Sequence, residues 1–155
     1  MTGKHKGKMV SQIVSEHPTV HTRSSEISIN HQFTVVSVKR KIQLEIADLV
    51  EVAQALHRRG VVRDSLIIYF HGSFGASKRI CDYYCSPDFG CTTDYHAIVT
   101  TSLFKRITLS TMMLLRRPQF KFRLFRNTDN AVNWLNKQQQ KSIQVETVAM
   151  RIQTA

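Results

Sequence analysis

The sequence lacks a long hydrophobic run. None of its 155 residues belongs to an uninterrupted apolar stretch of about 18 residues, so we expect no transmembrane helix. The N-terminal segment MTGKHKGKMVSQIV is basic, but it contains neither a continuous apolar core nor a small-residue cleavage site. A secretory signal is therefore not expected, and the sequence predicts a cytoplasmic protein.

Cysteines are few, and they lie close together at Cys81, Cys85 and Cys91. A disulfide framework favours an even and dispersed set, so reduced thiols are the simpler interpretation. With His71 and His96 these thiols could in principle bind zinc. Structural zinc sites usually combine two closely spaced ligand pairs, however, and only one such cysteine pair occurs here. We expect no metal and no other cofactor, and we expect the thiols to pack as small apolar side chains.

Catalytic motifs are also missing. The segment Gly72-Ser73-Phe74-Gly75 is not a G-x-S-x-G nucleophile elbow, because glycine directly precedes the serine. The seven histidines are scattered, and none forms an H-E-x-x-H motif. The sequence therefore predicts a protein that is not an enzyme.

Acidic residues are outnumbered, since 22 Lys and Arg face 11 Asp and Glu and leave a net charge of +11. Such a charge suits an anionic partner, namely nucleic acid, an acidic protein or a lipid surface. The charge is spread along the chain, and a dense block occurs only over 116–126. Its basic residues are Arg116, Arg117, Lys121, Arg123 and Arg126.

This basic block is interleaved with Phe120, Phe122 and Phe125. Alternating basic and aromatic residues can neutralise phosphates and stack on bases, which would indicate a nucleic-acid surface. In a strand, however, alternation places Phe120 and Phe122 on one face and the basic side chains on the other. A half-buried edge strand has the same pattern, and this interpretation is favoured.

Hydrophobic periodicity predicts a single α/β domain of order ββαβαβαβα, in which a mixed sheet carries packed helices. We predict strands near 26–30, 33–39, 65–70, 95–99 and 121–125, and helices near 46–59, 77–85, 102–115 and 128–136. Residues 1–22 are expected to form a flexible basic arm, and residues 23–136 form the domain. The polar tail 137–155 is expected to be disordered or to add a strand through Ile143, Val145 and Val148.

Two helices carry specific expectations. The apolar stripe of the helix over 102–115 should face the core. Its members are Leu103, Phe104, Ile107, Thr111, Leu114 and Leu115. In the helix over 46–59, Asp48 and Glu51 should lie on the surface, where hydration accounts for them fully.

The element order and several short motifs resemble the STAS-like, or SpoIIAA-like, fold of anti-sigma-factor antagonists. The similarity covers about 24–136 and is strongest for an uncharacterised bacterial branch of that group. The motifs that carry it begin with Thr100-Thr101, which precedes a helix containing Ser102, Arg106 and Ile107. Phe125 then ends a strand, and the last helix has the pattern Ala131-Val-Asn-Trp134-Leu135. A further motif, Ala76-Ser-Lys-Arg79, lies at the start of the second helix.

The resemblance implies a non-enzymatic domain of bacterial regulation that binds a protein partner, with a homodimer as a further arrangement. It places the regulatory region at Ser73, Ser77, Lys78 and Arg79, where a helix start also favours an acidic group. The acidic neighbour of the phosphorylated serine in classical antagonists is missing here, which favours constitutive binding over a phosphorylation switch. Ser77 is also explained as a helix N-cap alone.

The alternative function is that of a basic nucleic-acid-binding protein. Its candidate surface consists of Arg116, Arg117, Lys121, Arg123 and Arg126.

Overall fold

The computed structural model describes residues 19–29, 32–59, 65–71, 74–75, 77–89 and 93–153. They form one α/β domain with eight strands in the described ranges: β1 Thr19–His21, β2 Ser25–Ile29, β3 Phe33–Val38, β4 Ile42–Gln43, β5 Ser65–Phe70, β6 Phe74–Gly75, β7 Tyr95–Val99 and β8 Lys121–Phe125. The helices described are α1 Ile46–Arg58, α2 Lys78–Tyr84, α3 Leu103–Arg116 and α4 Thr128–Gln153. A single 3₁₀ turn spans Pro87–Phe89.

Six strands form one mixed sheet in the order β1-β2-β3-β5-β7-β8. The first three pair in antiparallel fashion, and β3, β5, β7 and β8 run parallel to one another. The short strands β4 and β6 pair separately. Strand β5 is central because its run Ser65–Ile68 is buried on both faces, as a parallel strand between two layers requires.

The helices cover both faces of this sheet. On one face α1, α2 and α3 pack Val52, Leu56, Ile80, Tyr84 and Met113 against the alternate strand residues Val36, Leu66, Ile68 and Ile98. On the other face α4 packs Ala131 and Leu135 against Val35, Ile67, Ala97, Val99 and Phe125. Among the described helices, one therefore covers the α4 face and three cover the opposite face.

The structure confirms the predicted α/β class, the five predicted strands and the four predicted helices. The ends of these strands and helices shift by one residue at most, except for the end of the last helix. The short strands β4 and β6 were not predicted. Strand β1 also corrects the expectation of an arm over 1–22, because Thr19–His21 pairs with β2. Residues 1–18 lie outside the described ranges.

The tail prediction is wrong for 137–153, because these residues continue α4 as helix instead of being disordered or adding a strand. The run Lys-Gln-Gln-Gln-Lys consists of good helix formers. Contacts to the sheet also favour the extension. Gln139 Nε2 donates to the carbonyl of Gln32 at 2.7 Å, and Tyr95 Oη lies 2.9 Å from Ser142 Oγ. Residues 154 and 155 are outside the described part.

The start of α1 corrects the expectation for Asp48, which is 1% exposed. Arg23 holds its carboxylate with two bonds, Nε to Oδ1 at 2.8 Å and an η nitrogen to Oδ2 at 2.6 Å. The backbone N–H of Glu45 donates to the same Oδ2 at 2.8 Å and closes a capping box. Burial alone would raise the pKa of Asp48, but the bonds from Arg23 and Glu45 outweigh it and leave this pKa below its ordinary value.

Asp48→Asn should lower the free energy of unfolding by about 2 kcal/mol at pH 7, because it removes a charge-assisted contact that joins β1–β2 to α1. Since the folded pKa is depressed, the contribution is complete above pH 3.8 and is lost as the pH falls through the lower folded value. Urea unfolding at pH 7 and in acid should therefore show that the difference in the free energy of unfolding between wild type and variant, the gap, closes only in acid. Glu51→Gln is the control, since Glu51 makes one exposed bond to the N–H of Arg23. A gap that stays constant into acid would contradict this account.

Candidate interaction surface on α3 and β8

Helix α3 presents its apolar stripe to solvent, which contradicts the expectation that this stripe faces the core. Its exposed large side chains are Leu103, Phe104, Ile107, Leu114 and Leu115, with exposed fractions between 59% and 78%. Thr111 is exposed as well. The helix instead meets the core through Met113, which is 2% exposed. The sequence period showed correctly which residues share a face, but that face points away from the sheet.

An ion pair helps to hold α3 in this orientation. Arg116, in the last turn of α3, pairs through Nε with Asp82 of α2 and also donates to the carbonyl of Met112. At the other end Ser102 caps the helix by accepting from the N–H of Lys105 at 3.4 Å. The predicted basic surface therefore loses Arg116, because its guanidinium is engaged within the domain.

A groove of about 770 Å³ runs between α3 and β8. Its apolar lining comes from both elements and from the segment that joins them: Leu103, Ile107, Leu114, Pro118, Phe120, Phe122 and Leu124. The groove is open to solvent along its length, so it can accept a chain segment from another molecule.

Four basic residues border the same groove: Arg106 and Arg117 come from α3 and its C-terminus, whereas Lys121 and Arg123 border it as residues of β8. The Nε atom of Arg106 is shielded from solvent, and no hydrogen-bond acceptor for it lies among the described residues. Arg117 follows α3 with φ 48° and ψ 61°, a left-handed conformation typical of a helix C-terminus. Arg126 is exposed but is not among the groove-lining residues.

The alternation predicted for β8 is confirmed. Phe120 and Phe122 pack against the core on the α3 side of the sheet. Lys121 Nζ lies 5.6 Å from the ring centre of Tyr95, and Arg123 Cζ lies 5.6 Å from that of Phe125. Because Tyr95 and Phe125 belong to the cluster under α4, the two basic side chains lie on the opposite face.

The site predicted at the start of α2 is separate from this groove. Ser77 accepts a hydrogen bond from the N–H of Ile80 at 3.4 Å and so acts as the N-cap of a seven-residue helix. Lys78 and Arg79 are exposed. Ser73 lies outside the described residues. An interaction at this end stays a prediction.

The candidate ligands Cys81 and Cys85 are buried free thiols. Burial raises the pKa of both, that of Cys85 to about 11, so they stay protonated at neutral pH and resemble small apolar side chains. Within the ranges that the structure covers, no three metal-ligating side chains come together. Cys91 is outside those ranges.

His96 is buried between its hydrogen-bonding partners. Its Nδ1 shares a hydrogen bond with the hydroxyl of Tyr84, and its Nε2 lies 2.6 Å from the hydroxyl of Thr93. The ring stacks on Phe120 with 3.8 Å between ring centres and 7° between planes. Burial lowers the pKa of His96 to about 3, so the ring is neutral and both nitrogens are engaged in structural contacts.

Comparisons with protein-family models, curated proteins and solved structures find no match to this chain. Across the described residues, no helix has the length and apolar content needed to cross a membrane.

His96→Gln should remove a component of the pH dependence of stability. Because the folded pKa of about 3 lies below the ordinary 6.5, protons bind the unfolded chain first as the pH falls. Between pH 6.5 and pH 5 this proton binding lowers the free energy of unfolding of the wild type by about 2 kcal/mol. The free energy of unfolding, measured by urea at several pH values in that window, should depend less on pH in the variant than in the wild type. Replacing the exposed His57 by Gln should keep the pH dependence of the wild type. Equal slopes for His96→Gln and wild type would contradict the assignment.

Substitutions on α3 should distinguish its two faces. Phe104→Gln with Leu115→Gln should change the free energy of unfolding by less than about 0.5 kcal/mol, because both side chains already contact water. Met113→Ala should lower it by about 3 kcal/mol, because it opens a cavity in the core. Denaturant titration measures both changes. A large loss in the outer pair with a small loss at Met113 would mean that the helix faces the other way.

Proposed function

We propose that this protein is a non-enzymatic interaction domain that binds a protein partner in the α3–β8 groove. The observation that carries the proposal is the set of five large apolar side chains exposed on α3. Soluble proteins rarely leave a contiguous apolar patch of this kind in water unless it is used for binding. The patch adjoins an open groove, so a partner would bury the helix face and the groove together.

The charge of the groove defines the chemistry of the partner. Arg106 and Arg117 line it, the side chains of Lys121 and Arg123 lie on the other face of the same edge strand, and no acidic side chain is among the lining residues. A partner that carries carboxylates beside apolar side chains would match both features. Its carboxylates would form charge-assisted hydrogen bonds with the guanidinium groups of Arg106 and Arg117, which line the groove.

The proposal includes a STAS-like role in bacterial regulation, in the cytoplasm. The element order, in which a β-hairpin precedes βα units on a mixed sheet, supports this part. The absence of an acidic residue beside Ser77 favours a partner that binds without phosphorylation. The proposed groove differs from the α2 start that the resemblance indicates, and the experiment below compares the two.

Nucleic-acid binding is the second candidate, because the groove combines basic and aromatic residues. Its weakness lies in the rings. Phe120 stacks one ring face on the buried His96, and Phe122 packs against the core, so both rings are partly buried and offer a base little free ring face. A stacking platform for single strands needs such faces. Binding would then depend on phosphate contacts alone and would fall steeply as salt rises.

A selection from a displayed random-peptide library tests the proposal. Wild-type protein should enrich peptides that contain both acidic and apolar residues. Ile107→Glu with Leu114→Glu should abolish the enrichment, because it places carboxylates in the groove while leaving the core intact. Lys78→Glu with Arg79→Glu is the matched control, since it changes two exposed residues at the start of α2.

Three results would contradict the proposal. Enrichment that survives the groove substitutions and disappears with the α2 substitutions would place the binding surface at the start of α2. Peptides enriched equally by all three proteins would show binding outside both surfaces. Tight binding of a DNA or RNA oligonucleotide that weakens steeply with salt, without any groove-dependent peptide, would favour the second candidate.

A further inference from the structure

Strand β8 ends the six-stranded sheet, and β7 is its one neighbour among the described strands. The N–H of Lys121 donates to the carbonyl of Asp94 at 2.9 Å, and the carbonyl of Phe125 accepts from Thr100 at 3.0 Å. In a parallel ladder, the main-chain groups of alternate residues point to opposite sides of the strand. Phe122 and Leu124 therefore direct their N–H and C=O groups toward the open edge.

The side chains of β8 divide between the two faces of the sheet. Those of Phe122 and Leu124 lie on the α3 side, next to the apolar groove. Those of Lys121 and Arg123 lie on the α4 side. A strand added along this edge would place its own side chains alternately on the same two faces. Apolar residues would then enter the groove, and the residues between them would meet the basic side chains.

A second copy of this chain fits the edge poorly. Pairing β8 with another β8 would bring Lys121 and Arg123 near the same residues of the other copy, and like charges across a strand pair are destabilising. Basic residues on an edge strand commonly prevent such self-association. The same charges attract a strand that carries carboxylates at alternate positions.

We propose that the groove binds an extended segment of the partner, alternating acidic and apolar residues, as a seventh strand along β8. The inference rests on the proposed function and adds the conformation of the bound segment. It depends on the main-chain groups of Phe122 and Leu124, which a strand would satisfy and an amphipathic helix in the groove would not.

A synthetic peptide of about seven residues that alternates glutamate with valine is the probe. Fluorescence anisotropy should show saturable binding to the full-length protein. Two N-methylated peptides should then be compared, one methylated at the odd and one at the even backbone nitrogens, which are the two registers. The register that removes the donors facing β8 should weaken binding by about tenfold or more. A peptide with lysine in place of glutamate should not bind, whereas Lys121→Glu with Arg123→Glu should reverse this preference.

Amide hydrogen exchange gives a second readout. Exchange at Phe122 and Leu124 should slow when the glutamate–valine peptide binds, because new hydrogen bonds form there. The amide of Lys121 already donates to Asp94 and should change little. It serves as the control within the same strand.

The outcomes separate the two proposals. Groove-dependent binding that N-methylation does not weaken in either register would overturn the added strand and leave the proposed function standing. A concentration-dependent dimer with Phe122 and Leu124 already protected from exchange would show that a second copy occupies the edge and would overturn it as well. A display selection without any groove-dependent peptide would overturn the proposed function itself.

Discussion

The burial of both faces of the parallel strands constrains the whole domain. Strand β5 supplies Leu66 and Ile68 to one face and Ile67 to the other, so helices must cover the sheet on both sides. Three helices share the first face, where α1 and α2 supply most of the buried residues. Helix α3 completes this layer mainly through Met113. Because so little of α3 is needed for the core, its apolar stripe can remain outside.

This division of roles explains why the candidate surface lies at one end of the sheet. The last strand has an open edge, the last helix on that face borders a groove with it, and the basic block runs from the end of that helix through the strand. Arg116 pairs with Asp82 within the domain, whereas Arg117 lines the groove and Lys121 and Arg123 lie on the other face of the edge strand. A structural ion pair and a candidate binding surface thus lie a few residues apart in the same block.

Periodicity was sufficient to predict five of the described strands and the four described helices, because period 2 and period 3.6 are local properties of the sequence. It could not orient α3, since the period shows which residues share a face and the core's position is a tertiary property. Asp48 was misassigned for a similar reason, as its partner Arg23 is distant in sequence. The basic side chains of β8 were identified from sequence. The groove could not be predicted, because it forms only when the apolar stripe of α3 points outward. The end of α4 was missed because its polar residues contact the sheet through hydrogen bonds, which leave no hydrophobic pattern.

Helix α4 has 26 residues and is about 39 Å long, which exceeds the length of the strands that it crosses. Its first half packs Ala131 and Leu135 into the core, whereas Ile143 and Val145 beyond Ser142 are exposed. Opening the first half requires disrupting the core, whereas the segment beyond Ser142 buries none of these side chains and can unwind while the sheet stays folded. Since an isolated segment of that length is a marginal helix in water, local unfolding beyond Ser142 costs less than opening the first half of α4.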